Sequence, residues 1–205
     1  MLSEKLGHRL DIPLAILIRN SFLSFISPTV LTLTGLILNI IASIAIVLGY
    51  WKTAAGIILF AGFFDMLDGA TARVLKKTSR FGGFLDSVVD RYSDMVILIA
   101  FIIYYARVSD IFMVSLIAVT SIGCVLIPYT RAKAETFIPS CNVGIMERPE
   151  RILLLAAGCF LNLTKPLFVI LAVLTHITVL QRIYYTWKEA QKLTAADNDK
   201  IDTAG

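Results

Sequence analysis

Six stretches of the chain carry almost uninterrupted apolar residues: about 29–50, 53–75, 84–106, 111–129, 152–163 and 166–187. Hydrocarbon about 30 Å thick takes roughly 20 residues of helix to cross. Four of the runs meet that length, the fourth nearly does, and the fifth needs the polar turn before it to lengthen it. Runs this long without apolar–polar alternation exclude strands. Before the first run, residues 2–26 mix Lys5, Arg9, Asp11 and Arg19 with Leu, Ile and Phe, as an amphipathic juxtamembrane helix bent near Pro13 would. Residues 195–205 are polar and read as a disordered tail. The expected fold is an all-α membrane protein of six transmembrane helices with that N-terminal juxtamembrane helix, in one domain over residues 1–194.

Composition strengthens this picture. Hydrophobic residues make up 57% of the 205, against about 45–50% in soluble domains. Of the 19 Lys and Arg, only Lys52, Arg107 and Lys165 fall in the short loops on one side of the six spans. The remainder cluster at the other side, which the positive-inside rule assigns to the cytoplasm. Both termini are then expected inside, in a multi-pass protein of the cell membrane. Residues 1–26 do not read as a signal peptide, because Asp11 and Pro13 interrupt what would be its apolar core. Cys124, Cys141 and Cys159 form no CxxC pair and read as free thiols, with no zinc site. His176 reads as a packed structural residue, and nothing in the pattern suggests nucleic acid.

The chemistry is concentrated where the second span runs into the third. Asp65 and Asp68 are spaced i, i+3 and share a helix face; Asp86 and Asp90 are spaced i, i+4 and share a face of the next helix. A turn near residues 76–83 joins the two helices antiparallel and brings both pairs to one depth. An aspartate at the centre of a span costs roughly 2.5–3.5 kcal/mol on insertion scales, so four at full depth would cost on the order of 10 kcal/mol. Divalent cations remove that cost and the mutual repulsion. Carboxylate oxygens suit Mg²⁺, with Mn²⁺ also possible, and four of them can bridge two ions as in phosphoryl displacement. The competing reading is ion pairing of these aspartates with Arg73, Arg80 and Arg91. No Ser, Cys or His stands beside a base as an activated nucleophile would, so a direct displacement is expected. Asp94 continues the Asp86–Asp90 face and reads as a supporting residue or salt-bridge partner.

The spacing Asp65-x-x-Asp68-Gly69-x-x-Ala72-Arg73, eight further residues, then Gly82-x-x-x-Asp86-x-x-x-Asp90 resembles the signature of the CDP-alcohol phosphotransferase family at every fixed position. The resemblance implies a transferase of phospholipid biosynthesis, a homodimer, in which an alcohol displaces CMP from CDP-diacylglycerol or an archaeal ether analogue. It further implies that Asp65, Asp68 and Asp86 bind two metal ions, and that Asp90 completes the site and acts as general base. Gly69, Arg73 and Ser79 match positions that contact the CDP moiety. Pro28, Thr29 and Thr32 open the first span in the family's manner, with Thr29 standing where Asn or Asp is common.

A second stretch, PYTRAKAETFIPSCNVGIMERPERILLL, resembles the prokaryotic phosphatidylinositol phosphate synthase branch of that family. By that likeness Arg131, Arg148 and Arg182, with Lys133 and Arg151, hold the phosphate of a phosphorylated alcohol, inositol phosphate first. Arg forks suit phosphate oxygens. The branch usually has Lys then Arg where this chain has Arg131 then Lys133, which leaves glycerol 3-phosphate as a competing acceptor. A function of another class, divalent-metal transport, would need polar groups continuing toward the outer face. The residues beyond the aspartates read GIILFAGFF and MVILIAFII and offer none.

Overall fold

The computed structural model of the chain describes residues 27–74 and 79–204; the side chains at 68, 69, 72–74 and 196–204 lie outside the described set. The expected juxtamembrane helix over residues 2–26 therefore lies outside the described residues. The described residues form six helices and no strand: α1 Pro28–Val47, α2 Trp51–Val74, α3 Arg80–Arg107, α4 Ile111–Ala134, α5 Arg148–Leu161 and α6 Thr164–Ala204. All six apolar stretches are helical, each within a few residues of its expected bounds except at the last end.

Helix starts and stops follow local chemistry. Pro28 opens α1, where a missing N–H costs nothing. Ser79 caps α3, its Oγ accepting from Gly82 N at 2.9 Å, and Asp110 caps α4, its Oδ1 accepting from Met113 N at 3.1 Å. Three tight turns join α1 to α2, α3 to α4 and α5 to α6. Each contains a left-handed residue: Gly49 at φ 82°, Ser109 at φ 58° and Asn162 at φ 56°. Connections this short force antiparallel neighbours, so the three turns gather at one end of the bundle. Contacts there tie them together. Arg107 Nη1 donates to Val47 O at 3.2 Å, Tyr105 and Thr164 share a hydrogen bond of 2.5 Å, and Lys165 Nζ donates to Asp110 Oδ2 at 2.6 Å.

The core runs through the middle of the bundle, with Ile46, Ile58, Leu98, Met113 and Ile117 buried and Phe101 edge-on to Phe168 at 5.0 Å between ring centres. The outer surface is apolar as well. Ile37, Ile44, Ile99, Phe112, Val173 and Leu180 are among the large hydrophobic residues left exposed, and apolar surface on every helix calls for lipid around it.

Among the described residues, three helices are long and apolar enough to cross a membrane: α1, α4 and α6 over Thr164–Ala195. Two of the others depart from that standard for visible reasons. Helix α3 carries Asp86, Asp90, Arg91 and Asp94 within its first 15 residues, and α5 has only 14 residues, about 21 Å of helix. At the far end, α6 continues helical to Ala204, through residues whose composition reads as a disordered tail. Extending an established helix fixes one residue per added hydrogen bond, so even modest helix formers are carried along.

Where α4 and α6 meet, closeness depends on Gly123. A Cβ there would lie 2.8 Å from Thr175 Cβ and 3.1 Å from His176 Cε1, and His176 is itself fixed by a 2.9 Å hydrogen bond between Nδ1 and Ala172 O. Gly123→Val should therefore cost about 1–3 kcal/mol by overpacking and lower the unfolding midpoint in detergent. An unchanged midpoint would show that the two helices do not approach this closely.

Candidate active site

The end of the bundle opposite the three tight turns holds the charged residues. Asp65 faces inward near the end of α2, and Asp86 and Asp90 face it from the first three turns of α3. One carboxylate oxygen from each lies within 4.8 Å of the other two, and all three residues are partly buried. The helical spacing read from the sequence thus converges in three dimensions for Asp65, Asp86 and Asp90. Asp68, Gly69 and Arg73 are on α2, and their side chains lie outside the described residues.

The donor set fits a hard divalent cation. The ligands are all oxygen, they come from two rigid helices, and they are too close to remain together unneutralised. Asp90 Oδ1 is buried and accepts no hydrogen bond, which leaves a lone pair for a metal.

Among the described residues, the cation nearest these carboxylates is Arg148, the first residue of α5. Its Nη1 lies 2.5 Å from Asp65 Oδ2 and 2.7 Å from Asp90 Oδ1, the second contact being ionic rather than along an N–H direction. The sequence-level alternative, neutralisation by Arg73, Arg80 and Arg91, is met only weakly among the described residues. Arg91 Nη1 is 3.7 Å from Asp90 Oδ2 and donates to Ser87 O at 2.6 Å. The structure brings Arg148, read from the sequence as a phosphate ligand, to the clustered carboxylates. The sequence could not place it there, because α5 reaches the site only by packing against α2.

The other expected phosphate ligands lie around the connection between α4 and α5. Arg131 and Arg151 each lie close enough to Arg182 to repel it electrostatically. Arg182 is 2% exposed. Its Nε donates to Val143 O at 2.8 Å, Nη1 donates to Ile127 O, and Nη2 lies 3.9 Å from Glu147 Oε1. Arg131 is held by Glu135 at 3.0 Å and by Asn142 Oδ1 at 2.7 Å. Arg151 donates to Asp94 at 2.6 Å. Lys133 is exposed, its ammonium 5.3 Å from the centre of the Phe137 ring. Asn142 and Thr178, whose Oγ1 accepts from Met146 N at 3.0 Å, carried no signal in the sequence. Both act by fixing a loop, and loops have no periodicity to read.

The expected CDP-contacting residues open two helices at the same end. Thr32 Oγ1 donates to Pro28 O at 3.1 Å, Thr29 is exposed, and the Ser79 hydroxyl is engaged in the α3 cap.

Comparison with known proteins gives a consistent result. A model of the CDP-alcohol phosphatidyltransferase family matches residues 25–203. Archaetidylinositol phosphate synthase of Methanothermobacter thermautotrophicus is 38% identical over 164 residues, covering 77% of this chain and 82% of that protein. Among solved structures, phosphatidylinositol phosphate synthase of Mycobacterium tuberculosis with CDP-DAG bound superposes with a TM-score of 0.74 at 28% identity, covering 87% of this chain and 94% of the other. The same enzyme in complex with manganese and citrate gives 0.76 at 28% identity, covering 85% and 88%. With three of its four signature aspartates converging on one site and this match along nearly the whole described chain, the protein belongs to the CDP-alcohol phosphatidyltransferase family of membrane transferases.

Proposed function

We propose that the protein transfers the phosphatidyl group of CDP-diacylglycerol, or its archaeal ether counterpart, to the hydroxyl of inositol phosphate, releasing CMP. The observation that carries this reading is the convergence of Asp65, Asp86 and Asp90 oxygens within 4.8 Å beside a group of arginines. The synthases named for inositol phosphate products among its relatives support the acceptor.

Asp65, Asp68, Asp86 and Asp90 would hold two Mg²⁺ or Mn²⁺ ions. When bound, they neutralise the pyrophosphate and stabilise the departing CMP. Asp90, at the meeting point of the carboxylates and Arg148, takes the proton from the acceptor hydroxyl as its oxygen attacks the lipid-linked phosphorus. The bond to the CMP oxygen breaks, the electron pair leaves with CMP, and no covalent enzyme intermediate forms. Pro28, Thr29, Thr32, Gly69, Arg73 and Ser79 would line the CDP side. Arg131, Lys133, Arg148, Arg151 and Arg182 supply positive charge on the acceptor side, where fork geometry favours a phosphate.

The six helices are read as six spans in one domain over residues 1–194, paired with a second copy as a homodimer. Both termini and the aspartate end face the cytoplasm, which places Lys52, Arg107 and Lys165 outside.

Purified protein given CDP-diacylglycerol, Mg²⁺ and inositol phosphate should release CMP, and substituting glycerol 3-phosphate should not support turnover. The reverse preference would reject inositol phosphate while leaving the reaction class intact. Asp90→Asn should lower turnover by roughly 10²–10⁴-fold, the usual worth of a positioned base; near-normal turnover would remove Asp90 from that role. Cys124, Cys141 and Cys159 are all buried, so Lys165→Cys should react with a membrane-impermeant maleimide in intact cells. Labelling only after permeabilisation would invert the assigned orientation.

A further inference from the structure

Asp94 lies one helical turn beyond Asp90 along α3, outside the eight-residue signature. Its two oxygens face two different guanidinium groups. Oδ2 accepts from Arg151 Nη2 at 2.6 Å, and Oδ1 lies 3.5 Å from Arg148 Nε. Arg148 Nε is buried and makes no hydrogen bond, while the opposite edge of the same group reaches Asp65 and Asp90 through Nη1. Arg148 is thus shared between one carboxylate on its Nε edge and two of the clustered carboxylates at its tip. Arg151 is only 5% exposed. Spaced i, i+3 from Arg148 on the same face of α5, it fixes the second oxygen of Asp94 and so stops that carboxylate from turning.

Geometry makes this sharing consequential. A guanidinium pairs most strongly when two parallel N–H groups meet both oxygens of one carboxylate. With its Nε edge turned toward Asp94, Arg148 meets Asp65 and Asp90 through a single nitrogen. Freed from Asp94, the planar group could rotate and present a full fork to either of them. A cation entering the site would then have to displace a stronger internal competitor, and its affinity would fall by whatever that pairing gained.

We propose that Asp94 is a positioning residue acting through Arg148: anchored by Arg151, it restrains the Arg148 guanidinium so that Asp65 and Asp90 remain available to a divalent cation. This rests on the metal-binding reading of the aspartate cluster and assigns a role to a carboxylate that reading leaves unused.

The test is a double-mutant cycle read by Mn²⁺ affinity, not by turnover. The full chain in detergent is titrated with Mn²⁺, and the free ion is followed by electron paramagnetic resonance, for the wild type, Asp94→Asn, Arg148→Gln and the double variant. Asp94→Asn should weaken Mn²⁺ binding roughly tenfold, within the range of couplings between contacting residues. In the Arg148→Gln background most of that loss should vanish, because the competitor is gone. An equal loss in both backgrounds would mean that Asp94 acts only through its own charge and would overturn the proposal, as would an unchanged affinity in Asp94→Asn. Should Asp94→Asn fail to fold, Arg148→Gln alone remains decisive: it should bind Mn²⁺ several-fold more tightly, and unchanged or weaker binding is the adverse result. A wild type that does not bind Mn²⁺ at all is a separate outcome, removing the metal reading and this proposal with it.

Discussion

Carboxylates held together inside a helical bundle that lipid surrounds must be neutralised, and this requirement organises one whole end of the molecule. Asp65, Asp86 and Asp90 repel one another at the distances observed, and burial denies them most of the solvent that would screen the repulsion. Positive charge therefore has to come from elsewhere in the fold. Helix α5 supplies it, opening with Arg148 against Asp65 and Asp90 and following one turn later with Arg151 against Asp94. The position of α5 is an electrostatic consequence of the aspartates as much as a packing consequence of its own apolar face.

The opposite end is built on a different principle. There the chain turns back in a few residues, with Gly49, Ser109 and Asn162 in left-handed conformations, and the polar contacts are direct ties between neighbouring turns. Tight turns fix the pairing of α1 with α2, α3 with α4 and α5 with α6 at that end. The longer connection between α4 and α5 is held by side chains instead. Arg182 and Thr178 on α6 bond to Val143 and Met146, and Asn142 reaches back to Arg131 on α4. Rigidity at the first end and a side-chain-fixed loop at the second are a reasonable division for a protein whose candidate site lies at the second.

Much of this was legible in the sequence, because membrane helices and helical spacing both leave a periodic record. The apolar stretches predicted all six helices, and the i, i+4 interval of Asp86 and Asp90 predicted their common face, which Asp65 meets from α2. What could not be read was contact between elements distant in the chain. Arg148 is 83 residues from Asp65, and no local pattern shows that it meets the clustered aspartates. Arg182 read from the sequence as a ligand for the acceptor's phosphate. Its guanidinium also donates to the carbonyls of Ile127 and Val143, partners invisible in a sequence because every residue has a carbonyl. The end of α6 was misread from composition for a related reason: helix continuation depends on what precedes it, not only on local polarity.

The brevity of α5 has a further consequence. Fourteen residues make about 21 Å of helix, roughly two-thirds of the hydrocarbon thickness. Because the far end of α5 is tied by a tight turn to α6 at the level of Thr164, its charged beginning does not reach as far as the ends of the longer α4 and α6. A site set back in this way would let a water-soluble molecule and the polar head of a lipid meet without either one crossing the apolar interior.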